Sequence, residues 1–219
     1  MKAAGEEVMT CLGAIGRSSS NPVARILKHA GPFYEDAHYP EDDVSDKTSG
    51  SQYYYHAHRG DAEHGHFHTF VRVTGIPSGI EPAPYAGPSE RPVGQDAICH
   101  LVAVSMNATG LPIGLFTTNR WVTAESFYAA ADTIQILDRF SVDHADPCWA
   151  TNRWLTGLLK LFRPQIIQLI QQRDVTIENW TKSHPGDVFE DRDLEVTSET
   201  GIDIDDQIDA IETELAKRA

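Results

Sequence analysis

Val8, Leu12 and Ile15 recur at helical spacing and predict a short first helix. Asn21 followed by Pro22 joins a good N-cap to a good first-turn residue. Val23, Ile26 and Leu27 then form the inward stripe of a second short helix, which Gly31 and Pro32 end. Residues 33–51 are polar, with Glu41, Asp42 and Asp43 in a row, and predict a loop.

The period then changes. Residues 52–58 and 66–74 are rich in aromatic and β-branched side chains, with Arg59, Gly60 and Asp61 between them, which predicts two strands joined by a turn. Residues 75–94 hold five prolines and four glycines and predict a long irregular loop of the lid or binding-loop kind. Residues 98–106 and 111–117 predict a second hairpin around Asn107 to Gly110.

The second half reads as helical. Thr123 caps a predicted helix over 124–140 with Phe127, Ala131, Ile134 and Leu137 on one face. Leu155, Leu158, Leu159 and Phe162 form the stripe of the next, which stops near Pro164. That proline starts another over 164–182, with Ile166, Ile170 and Ile177 inward. Ile208, Ile211 and Leu215 predict a last amphipathic helix over 205–217. The expected fold is therefore α+β: an antiparallel sheet of four or more strands, packed on its Tyr/Phe/Val face by helices of the second half.

Composition adds limits. The chain has 219 residues and a net charge of −14, of which the acidic segment 187–219 carries −9. A single domain spanning 1–219 is expected. The charge disfavours binding to nucleic acid or to an anionic membrane, which demand a basic surface. Met1 to Gly16, with Glu6 and Glu7 and no sustained apolar core, is not expected to act as a secretory signal, and no apolar run reaches membrane length. Three scattered cysteines form neither a disulfide framework nor a Cys-x-x-Cys site, so a cytoplasmic location is expected.

Histidine is the informative residue. Of 10 in the chain, five fall within residues 56–68. His56 and His58 share one face of a strand, as do His66 and His68. With antiparallel pairing centred on Ala62, His58 would oppose His66 and His56 would oppose His68, with Cβ atoms roughly 4.5–5.5 Å apart. Tyr53, Tyr55, Phe67, Val71 and Val73 occupy the other face, which reads as core. Convergent neutral imidazoles suit a divalent metal: Zn, Fe, Mn or Cu. The expected metal ligands are His56, His58, His66 and His68, with His100 from a later strand closing the site. Glu63 or His64 in the connecting turn would serve as a further ligand or move protons.

Named patterns fit in part. Gly50-x5-His56-x-His58-x4-Glu63 is similar to the first half of the cupin metal motif, but the following glycine and a second motif are missing. A stretched likeness to the metallo-β-lactamase motif has the wrong spacing. His64-Gly65-His66-Phe67-His68 resembles the alternating triad of histidine-triad nucleotide hydrolases, in which His66 would be the nucleophile. His66-Phe67-His68 also has the pattern of single-strand DNA nicking enzymes, which the acidic charge disfavours. Asp203 to Glu212 lacks the glycine of a calcium loop. Thr118-Asn119-Arg120-Trp121 is echoed by Thr151-Asn152-Arg153-Trp154, and either arginine could hold an anion.

The segments Tyr53 to Arg59, Glu63 to Phe70, Leu115 to Thr123 and Phe189 to Arg192 resemble an uncharacterised bacterial protein family, over about residues 32–205. The resemblance implies that the histidine hairpin and the Asn-Arg-Trp segment belong to one unit, and it supplies no catalytic residue. The expected function is divalent-metal binding, with hydrolase or oxygenase activity on a small-molecule substrate. Two alternatives stand beside it. One is a metal-free phosphate hydrolase using His66, with Arg120 or Arg153 on the anion. The other is a non-catalytic interaction module whose acidic tail binds a basic partner.

Overall fold

In the computed structural model, which describes residues 1–217, the alternation of the histidine hairpin is resolved as the centre of one antiparallel sheet. Its six strands lie in chain order: β1 (Tyr39–Ser45), β2 (Ser51–His56), β3 (Gly65–Arg72), β4 (Ile98–Met106), β5 (Pro112–Thr118) and β6 (Val196–Gly201). The helices are α1 (Lys2–Gly16), α2 (Pro22–Leu27), α3 (Arg120–Thr123), α4 (Ala130–Leu137), α5 (Trp149–Leu161), α6 (Arg163–Ser183) and α7 (Ile204–Ala216). The expected α+β class is correct.

Tyr53, Tyr55, Phe67 and Val71 point into one buried core with Trp154, Leu158, Ile166 and Ile170 of α5 and α6. Phe67 meets Trp154 edge-on, with ring centroids 5.7 Å apart. Tyr53 donates its hydroxyl to Asn152 Oδ1 at 2.5 Å. Ser198 on β6 donates to the Leu169 carbonyl of α6. The Tyr/Phe/Val face is thus the helix-covered face, and the histidines lie on the other.

Several expectations need correction. The 33–51 segment contains β1, whose Tyr-Pro-Glu-Asp-Asp sequence disguises it. Charge and proline mark an edge strand, and only Tyr39 and Val44 are buried along it. The opposite edge, β6, is also polar and falls within the acidic segment. The helix expected over 124–140 is shorter. Ala124 and Phe127 adopt left-handed backbone conformations (φ 53° and 61°), and helix resumes only at Ala130. Thr123 caps nothing; Asn119 caps α3. On α4 the inward residues are Thr133, Ile136 and Leu137, while Ala131 is exposed.

The pairing centre moves as well. His56 opposes His66 and Tyr54 opposes His68, a register two residues away from the expected one. β2 ends at His56, so His58 has left the strand. Gly65 permits this arrangement, because a Cβ on it would lie 2.6 Å from the His56 carbonyl oxygen. A shift of two preserves each residue's face, so the histidine face survives the wrong register.

Candidate metal centre

β2 and β3 deliver three imidazoles to one point. His56 Nε2 lies 2.8 Å from His66 Nε2, and His66 Nε2 lies 3.0 Å from His68 Nε2. One ligand atom from each of the three falls within 4.8 Å of the others. Two imidazole nitrogens about 2.1 Å from one ion are about 3.0 Å apart at a right angle and about 3.4 Å apart in a tetrahedron. The group therefore needs little movement to enclose an ion. His66 and His68 are fully buried and His56 is 9% exposed.

The far nitrogens are held as well. Glu63 turns its carboxylate onto His66 Nδ1, and its side chain is only 2% exposed. Accepting the Nδ1–H leaves the Nε2 lone pair of His66 free for the cluster. His68 Nδ1 lies 3.0 Å from His100 Nε2, which gives a second ring the same support. Carboxylate-to-histidine and histidine-to-histidine contacts of this kind fix tautomer and ring orientation.

Electrostatics keeps the rings neutral. Burial, reinforced by His66, His58 and His38, pushes His56 down to about 3. Burial, with Arg173 and His66 behind it, pushes His100 down to about 3. His68 falls well below the usual range for the same reason, with its neighbouring imidazoles adding to the effect. His66 is also lowered by burial, although Glu63 pulls against it. Glu63 is itself lowered: burial would raise it, but the His66 contact and Arg59 outweigh that. At neutral pH the site offers three uncharged nitrogen donors backed by one carboxylate.

His100 reaches this group through an irregularity. Ala103 and Ser105 of β4 oppose His68 and His66, so simple alternation would put Leu101 on the histidine face. Instead Val102 opposes Thr69 and His100 opposes Phe70, leaving Leu101 unpaired in a β-bulge. Leu101 joins the helix-side core, and His100 turns toward His68. Nothing in the one-dimensional pattern announces the bulge.

The other expected site residues stand outside the three-residue group. The ring of His58 is 4.9 Å from that of His56 and 5.1 Å from that of His66. Its Nδ1 faces Glu195 at 3.9 Å, and it is outside the three-residue group. His64 is exposed and lies 2.6 Å from the Tyr55 hydroxyl, so it is directed away from the cluster. Arg120 is buried and bound to Glu190, the Glu90 carbonyl and the Glu125 carbonyl. Arg153 pairs with Glu7 and Asp143 in the helix layer. Sequence reasoning missed His38, which stacks on Tyr54 at 3.6 Å and meets His56 edge-on at 5.7 Å. Its place in an apparent loop hid it.

A cleft of about 410 Å³ adjoins the cluster, with Glu63, Phe116, Arg59 and Ser105 among its walls. Phe116 touches His66, with ring centroids 5.1 Å apart, and the Arg59 guanidinium lies over the Phe116 ring at 4.5 Å. The irregular loop that follows β3 is tied down near the β4 start: Pro92 accepts from Ser126 and Glu90 from Arg120.

Comparison with protein families places the chain in one of them. Residues 2–202 match a domain of unknown function, DUF6969. The chain belongs to that family. The DUF6969 match takes in α1 and α2, which lie outside the span of the sequence resemblance, and it carries no assigned activity. No curated protein and no solved structure matches the chain. Among the described residues, no helix is long and apolar enough to cross a membrane, and all three cysteines are free.

Proposed function

We propose that the chain binds a divalent metal ion through His56, His66 and His68 and uses it as a metal-dependent enzyme on a small molecule held in the adjoining cleft. The convergence of three neutral, buried Nε2 atoms, each within 4.8 Å of the others, carries this reading. Three protein ligands leave room for water and substrate at the ion, the arrangement of catalytic rather than closed structural sites. The bound ion would supply Lewis acidity or activate water or dioxygen. The chain's own residues do the rest. Glu63 orients His66, His100 orients His68, and Glu63 on the cleft wall can take up or return a proton at Oε2, the oxygen that faces Arg59 at 3.5 Å. The metals that accept such an all-nitrogen set are Zn, Fe, Mn and Cu.

The metal-free hydrolase reading has less support. A nucleophilic His66 needs a free nitrogen, yet Nδ1 is engaged by Glu63 and Nε2 lies against the Nε2 atoms of His56 and His68. Elemental analysis of untagged protein reconstituted at neutral pH tests the proposal. About one equivalent of metal is expected in the parent chain and none in a His56→Ala/His68→Ala variant. No retained metal in the parent chain contradicts it.

A further inference from the structure

The turn between α3 and α4 reaches the backbone of His100 on β4. Glu125 is fully buried there. Its Oε2 accepts the backbone N–H of His100 at 2.7 Å, and its Oε1 has no protein partner. A buried carboxylate is costly, and one backbone contact is a small return on it. The surrounding backbone is also unusual, since Ala124 and Phe127, on either side, both adopt left-handed conformations that residues with a Cβ rarely take.

The turn is fastened at both ends. Arg120 Nε donates to the Glu125 carbonyl at 3.1 Å. Ser126 N donates to the Ile98 carbonyl, and Ile98 N donates to Ser126 Oγ, each at 3.0 Å. The turn therefore takes the place of a neighbouring strand along the first residues of β4. The β4–β5 pairing begins only at Ala103 with Phe116, so the His100 N–H has no strand partner on that side. The bulge at Leu101 sits between the paired part of β4 and the part held by this turn.

We propose that Glu125 is a positioning residue that holds the β4 bulge and thereby keeps His100 on the Nδ1 atom of His68. The claim deepens the metal-site reading above, on which its consequence for affinity rests. By clamping the His100 amide, Glu125 fixes the residue after which the strand changes face. Without the clamp, β4 is free to return to plain alternation, which would put Leu101 where His100 stands. His68 would then lose the partner that orients it, and the cluster would lose one of its two outer supports.

Two readouts test this separately from the metal reading. In metal-free protein labelled with ¹⁵N at histidine, the imidazole proton shared by His68 and His100 reports the contact directly. It is expected in the parent chain and in Glu125→Gln, which keeps an acceptor, and is expected to vanish in Glu125→Leu. Its persistence in Glu125→Leu overturns the proposal. If the leucine variant does not fold, Glu125→Asp withdraws the carboxylate by one methylene and is read by the same signal. With Co²⁺ as the probe, Glu125→Leu and His100→Phe should each weaken binding by about 10-fold or more. The double variant should be no weaker than His100→Phe alone, because Glu125 acts through His100. Additive losses overturn the proposal. A parent chain that binds no Co²⁺ removes the metal reading instead, and the shared proton still decides the role of Glu125.

Discussion

Glu63 and His66 stand three residues apart at the mouth of the β3 strand, and the carboxylate of the first rests on Nδ1 of the second. This contact fixes which nitrogen of His66 faces the cluster. Replacing Glu63 by Gln keeps the shape but lets the amide present either an N–H or an oxygen to the ring. Metal affinity is expected to fall about 10- to 100-fold. Isothermal titration with Zn²⁺ measures it, and unchanged affinity would separate Glu63 from the site.

Gly65 should be equally sensitive for a steric reason. Gly65→Ala places a methyl group 2.6 Å from the His56 carbonyl, where β2 and β3 must close for His56 to oppose His66. The expected cost is about 1–3 kcal/mol of stability. Metal affinity should drop with it, because the same two strands carry the ligands. Chemical denaturation followed by metal titration gives both values.

Tyr53 supplies the contrasting case on the helix-covered face. Tyr53→Phe removes the donor to Asn152 Oδ1 and leaves that buried oxygen short of a partner. Stability is expected to fall by about 1–3 kcal/mol while metal stoichiometry stays unchanged. Loss of metal in this variant would show that the two faces of the sheet are not separable.

Acid should destabilise the metal-free protein. His56 and His100 are held down to about 3 by burial, whereas in the unfolded chain a histidine titrates near 6.5. Between those values the unfolded state binds the protons and the folded state does not, so stability falls as pH falls through that window. Each such ring contributes a slope of up to about 1.4 kcal/mol per pH unit. Glu125, raised to about 7 by burial, works in the opposite direction: its contribution is present at low pH and is lost as pH rises through 7. Four depressed histidines outweigh one raised carboxylate, so urea midpoints should fall from pH 7 to pH 5. A His56→Phe/His100→Phe variant should show a shallower dependence. Equal slopes would mean that the rings titrate freely in the fold.

Residue parity carries across from sequence to structure because it depends on local geometry. His66 and His68 share a face whatever the register, as do Tyr53 and Tyr55, and His56 joins the first pair because the register differs from the expected one by two residues rather than one. Register itself depends on the turn, and eight residues between β2 and β3 leave several turns open. The edge strands β1 and β6 carry charge and polar residues that protect an edge, so their sequences look like loops. The face of His100 is set by a bulge and by Glu125 some 25 residues later, a relationship that appears only when the chain folds back. His64 shows the opposite effect: its sequence position suggested a role in the site, but its ring meets Tyr55 instead.

X-ray absorption at the zinc edge of the reconstituted protein tests the central claim most directly. Three histidines on one ion predict imidazole outer-shell scattering and nitrogen ligands at about 2.0–2.1 Å. The same measurement on His56→Ala should show one imidazole fewer or no bound zinc. Zinc bound without imidazole scattering, or an identical spectrum in the variant, would contradict a metal centre built from His56, His66 and His68.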